Sequence, residues 1–143
     1  MTLKQLIDKI SDLALSQKCI HYTAAGTSIY QINPKTIKDY PILFQSPTGE
    51  HTVEDNTTTF EITLYYLDRL LEDNSNDIIV YSAAIEQLKN LARGIETIDN
   101  VLKVGDGYTI TNVADTESFN DRLAGAYTTV EITVKNNETC YEE

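Results

Sequence analysis

Cys19 and His21 put a thiol and an imidazole two residues apart, the closest approach to a metal-ligand pair in the chain. A structural zinc site needs four such ligands, and His51 and Cys140 stand in no spacing that completes one. Asp73-Asn74-Ser75-Asn76-Asp77 resembles the acidic opening of a calcium loop. Such a loop also needs glycine at its sixth position and a bidentate acid at its twelfth, where this chain has Ile78 and Ala84. Val104-Gly105-Asp106-Gly107-Tyr108 is glycine-rich, but no Lys-Ser/Thr pair follows and no helix is expected after it, so it is not a phosphate cradle. No Gly-x-Ser-x-Gly elbow offers a nucleophile. The expectation is a protein without a catalytic centre, metal or cofactor.

Charge narrows the partners. The 143 residues carry 11 Lys and Arg against 22 Asp and Glu, a net charge of -11, which opposes any grip on nucleic acid that works by neutralising phosphates. The charge alternates along the chain. Residues 1–45 hold five Lys against three Asp, and residues 46–77 hold eight acids against Arg69. Residues 78–95 hold Lys89 and Arg93 against Glu86, and residues 96–143 hold ten acids against three bases. Such a chain suits contact with copies of itself through unlike patches. No run approaches the ~18 apolar residues of a membrane span, and the opening Met-Thr-Leu-Lys-Gln lacks a signal peptide's apolar core. Two cysteines make no disulfide framework; two reduced thiols in a cytosolic product are expected over a single bridge.

The elements follow from periodicity. Leu3, Leu6, Ile7, Ile10, Leu13 and Ala14 fall at helical spacing, with Thr2 and Gln5 placed as a capping box, so a helix is predicted over 2–18. Ile20 to Ile32 reads as irregular or short strand, broken by Asn33-Pro34. Tyr40–Gln45 is a strand whose Pro41 belongs at its first residue or on a sheet edge. Glu50 to Thr58 reads as a mobile loop or hairpin tip. Thr58–Asp68 alternates cleanly, with Phe60, Ile62, Leu64 and Tyr66 on one face. Asn76 or Asp77 then caps a second helix marked by Ile78, Ser82, Ile85, Leu88, Leu91, Ala92 and Ile95 and closed by Gly94. Val101–Val104 makes a short strand or helical turn. Tyr108–Ala114 is a strand, Thr116 to Gly125 a polar loop, and Tyr127–Lys135 the last strand, with Thr128, Val130, Ile132 and Val134 on one face. Phe60-Glu-Ile-Thr-Leu64 and Val130-Glu-Ile-Thr-Val134 echo one another, as two strands lying side by side would. The order predicts a single α+β domain over 1–143, two helices packed on one face of a mostly antiparallel sheet, with a long loop at 46–58 and a flexible tail at 136–143.

Tyr40-Pro41 opening a strand, a polar hairpin tip, FEITLYYLDRL, then DNSND and the helix IIVYSAAIEQLKNLARGI resemble the small tail-terminator or tail-completion proteins of tailed bacteriophages, and the neck ring proteins of crAss-like phages. The resemblance covers most of the chain and departs over residues 99–126, which are longer and more polar. It implies a structural virion protein made in the host bacterial cytoplasm, which closes into a ring of about six- or twelve-fold symmetry around the DNA channel. Adjacent portal, adaptor or tail ring proteins would then be its neighbours, and DNA would pass through without specific binding. Carried onto this sequence, the loop holding Glu50, His51, Val53, Glu54 and Asp55 becomes an inter-subunit arm. The strand face of Tyr65 and Leu67 supplies apolar contact, or else packs in the core. A different class, a small acidic binding module or DNA-mimic regulator, would be a monomer or dimer with carboxylates in two parallel rows on one face.

Overall fold

Two thirteen-residue strands, β4 (Thr57–Arg69) and β7 (Leu123–Lys135), pair antiparallel along their whole length, from Thr57 opposite Lys135 to Arg69 opposite Leu123. The computed structural model describes residues 1–27, 40–47, 49–70, 75–115 and 123–136. The expectations for Asn33-Pro34, Asp73-Asn74, Thr116 to Arg122, the tail after Asn136 and Cys140 lie outside these residues. The sequence echo is realised as adjacency: Phe60 faces Ile132, Glu61 faces Glu131 and Ile62 faces Val130.

The sheet grows outward from this pair. On the β4 side lie β2 (Ile42–Ser46) and β3 (Thr52–Val53), end to end, and β1 (Tyr22–Ala25) runs parallel to β2 beyond it. On the β7 side lie β5 (Val101–Val104) and β6 (Thr111–Asp115). The result is a mixed, mostly antiparallel seven-stranded sheet, and with its two helices the fold is α+β. Pro41 sits just before β2, an interior strand, so its missing N–H costs the ladder nothing.

Helix α1 (Leu3–Ser16) begins on the expected capping box: Gln5 N donates to Thr2 Oγ1 at 3.1 Å, and Thr2 N donates to Gln5 Oε1 at 2.8 Å. Helix α2 (Asp77–Ile95) has Asn76 at its N-cap, but that side chain donates to the Arg69 carbonyl at 3.2 Å instead of capping the helix. Both helices cover the same sheet face. Leu6, Ile10 and Ala14 of α1 and Ala84, Leu88, Leu91 and Ile95 of α2 bury against Phe60, Ile62, Leu64, Tyr66, Val130, Ile132 and Val134. The facial assignment of both long strands therefore holds. Among the described residues, no helix is long and apolar enough to cross a membrane.

Four expectations change. The first half of α2 buries Val80 and Ala84, which fall at four-residue steps with Leu88, leaving Ile78 out of that phase and 72% exposed. Gly94 does not end α2: a Cβ there would meet Leu13 Cδ2 at 2.9 Å, so its missing side chain is where the helices touch. The strand expected over Tyr108–Ala114 occupies Thr111–Asp115. β7 starts at Leu123, four residues before the expected Tyr127, because Leu-Ala-Gly-Ala carries small residues that pair closely and signal no alternation. Gly125 shows how closely: a Cβ there would lie 1.7 Å from the Tyr66 carbonyl oxygen.

Gly125→Ala should consequently force β4 and β7 apart and destabilise the fold by several kcal/mol, on the scale of core overpacking or worse. Gly107→Ala, where an added Cβ meets nothing within 4 Å, should leave stability unchanged. Urea denaturation of both variants checks this; equal midpoints would refute the account.

Candidate functional site

The segment expected as a loop over 46–58 is mostly a short hairpin. Thr52 and Val53 pair with Thr59 and Thr58, and Glu54 N donates to the Thr57 carbonyl at 2.8 Å, closing a tip at Glu54-Asp55-Asn56. Three consecutive threonines, Thr57–Thr59, favour extended backbone and draw β4 further toward the tip than the sequence suggested. Residues 50–56 are all exposed.

Asn136 fixes the tip from the far end of β7. Its backbone N–H donates to the Asn56 carbonyl at 2.9 Å, and its Nδ2 donates to the Glu54 carbonyl at 3.1 Å. Its Oδ1 accepts from the Thr58 hydroxyl. Sequence reading assigned Asn136 to a flexible tail, because contacts spanning some 80 residues leave no local signal.

Between β2 and β3 the edge of β4 has no strand partner, and His51 fills part of this gap. Its Nδ1 accepts from Glu61 N at 3.3 Å, and its ring meets Phe60 edge-on at 5.4 Å between centroids. The Glu61 side chain lies over Gly49, where an added Cβ would sit 2.1 Å from Glu61 Oε1. Glu50, Thr52, Thr59, Glu61 and Glu131 line a cleft of ≈ 240 Å³.

This cleft belongs to the sheet face that α1 and α2 leave uncovered. Along it, like residues pair across β4 and β7: Thr59 with Thr133 at 2.8 Å between hydroxyls, Glu61 with Glu131, Thr63 with Thr129 at 2.9 Å, and Tyr65 with Tyr127 at 5.4 Å between centroids. Thr pairs and aromatic pairs stabilise a sheet, whereas carboxylates directly opposite one another oppose it. The repeated Glu-Ile-Thr of the two strands was the signal for this ladder.

The seven residues singled out in the sequence therefore separate. Glu50, His51, Val53, Glu54 and Asp55 gather on the hairpin. Tyr65 lies six residues along β4 from Thr59, about 20 Å away at strand rise. Leu67 is 4% exposed and packs with Ile42, Phe44 and Leu123 in a second apolar cluster of the chain, so of the two expected roles it takes the core one. Tyr65 packs against that cluster and is half-buried.

At the opposite end of β4, burial pushes the Tyr66 phenol well above its ordinary range, with smaller contributions from the charges of Asp68 and Cys19. Burial also raises Asp68, against the downward pull of the Arg69 N–H at 2.8 Å, the Arg69 guanidinium and His21. Cys19 is exposed, and His21 Nε2 lies 3.1 Å from the Lys18 carbonyl. Among the described residues, no three His, Cys, Asp or Glu side chains converge as metal ligands would. No protein-family model matches the chain, and no curated protein sequence matches it.

Two outcomes follow. Because folding raises the Asp68 pKa, its stabilisation is fully present below the ordinary value of 3.8 and is lost as pH rises through the raised folded value. Asp68→Asn should therefore raise Tm at neutral pH and leave it unchanged in strong acid; thermal melts at both pH values decide, and a lower neutral Tm would refute the assignment. Glu131→Gln should relieve the repulsion with Glu61, adding up to about 1 kcal/mol at low ionic strength and less in high salt. Chemical denaturation with and without salt measures it, and a gain that ignores salt would count against repulsion as the cause.

Proposed function

We propose that this chain is a non-enzymatic structural subunit of a phage neck or tail, assembling with copies of itself into a ring around the DNA channel. Portal, adaptor or tail ring proteins would be its neighbours above and below. The observation supporting this reading is the form of the sheet's perimeter. Among the described residues, β1 borders one side and β5 and β6 the other, all short strands, while the β3–β4 hairpin projects fully exposed residues from one end. Sheet borders present N–H and C=O groups ready for strand addition, and a heterologous contact whose rotation closes yields a ring.

The uncovered face supports assembly over DNA mimicry. A mimic presents carboxylates in two parallel rows, whereas Glu50, Glu61 and Glu131 gather in a single cleft flanked by threonines. An acidic surface also suits a channel component, since it repels passing phosphates instead of holding them.

The purified chain should sediment as a closed oligomer at high concentration, and imaging should show a ring; a chain that stays monomeric and is missing from purified virions would overturn the reading.

A further inference from the structure

We propose that the β3–β4 hairpin is a preformed docking finger, held in shape by Asn136, and that it docks on the Leu15–Lys18 end of α1 in a second copy of the chain. The inference rests on the assembly reading and names its interface.

The finger has an unusual combination of features for a surface turn. Val53 is 73% exposed, the most exposed large apolar side chain among the described residues, and it is followed by Glu54 and Asp55. Neither carboxylate has a cationic partner among those residues. An exposed tip with no task would gain little from being fixed, yet Asn136 uses its backbone N–H, its amide NH₂ and its amide oxygen on Asn56, Glu54 and Thr58. Fixing a contact surface before binding removes an ordering cost from association. Asn136 is thus a positioning residue that touches no partner itself.

The recipient is chosen by charge and by place. The acidic hairpin needs a cationic surface with an apolar spot, and residues 1–45, with five Lys against three Asp, have the larger of the chain's two basic excesses. At the end of α1, Leu15 is 50% exposed with the exposed Lys18 one turn beyond it, the converse of Val53 beside Glu54. This end also lies far from the finger. The Lys18 carbonyl lies 3.1 Å from His21 Nε2, and His21 N donates to the Pro41 carbonyl at 3.0 Å, next to the Ile42 that pairs with Leu67 near the end of β4, while the tip lies at its beginning. Ten residues of strand, Thr57 to Leu67, separate the two by about 33 Å. Finger and socket on opposite ends of one subunit give a head-to-tail contact, the kind that propagates into a ring or a filament.

The test measures self-association of the full chain by analytical ultracentrifugation. Val53→Asp and Asn136→Ala should each weaken it about tenfold or more, as loss of an interface anchor does. Thr97→Ala, which removes a 2.6 Å bond to the Gly94 carbonyl that neither the hairpin nor Asn136 makes, controls for general loss of stability and should leave association intact. Glu54→Lys should weaken association, and mixing it with Lys18→Glu should restore it. If Asn136→Ala weakens association no more than Thr97→Ala, the positioning role is overturned. If wild type assembles but neither Val53→Asp nor the charge exchange matters, the finger and socket are overturned while the ring reading stands. A wild-type chain that never self-associates removes both.

Discussion

The pairing of β4 with β7 is the constraint on which the rest of the structure depends. Thirteen consecutive residue pairs put Phe60, Ile62, Leu64 and Tyr66 beside Ile132, Val130, Thr128 and Ala126, and this apolar floor is what α1 and α2 cover. Because side chains alternate with a strict period of two, slipping the register by one residue would turn the whole floor toward solvent. Gly125 permits the close approach at one end, and Asn136 ties off the other. Every other strand attaches to this pair directly or through β2.

The same pairing generates both faces' properties. The covered face is apolar except for Gln45 and Thr128, which flank Leu64 in one row across the sheet. The other face carries the ladder of matched residues toward the hairpin, where hydroxyl and aromatic rungs offset the opposed carboxylates of Glu61 and Glu131. Toward the far end it carries the buried second cluster of Ile42, Phe44, Leu67 and Leu123. The Glu61–Glu131 rung lies beside the hairpin, whose tip Asn136 holds through three hydrogen bonds.

The parts of the fold legible in sequence were those with strong local period. α1 showed its capping box, β4 its alternation, and β7 its Thr128, Val130, Ile132 and Val134 face. What escaped was written in small residues or distant partners. Ala84 set the phase of α2, although Ile78 carried the larger hydrophobic signal. Leu123 to Ala126 pair as strand because their small size permits close approach, and size alone does not announce extended backbone. At the candidate site, the hairpin residues were visible as a polar stretch between strands. A hairpin tip is one of the two readings the sequence allows there; what fixes it is not legible, since it depends on Asn136, some 80 positions away, and on a histidine standing in for a strand.

Gln45 has a consequence for how α1 is seated. From within the core, its Nε2 donates to the Ile7 carbonyl at 3.0 Å and to Ser11 Oγ at 3.1 Å. Oily contacts tolerate a helix that rolls or slides by a fraction of a turn, whereas a directional amide bond does not. One glutamine thereby indexes the azimuth of α1 over the sheet.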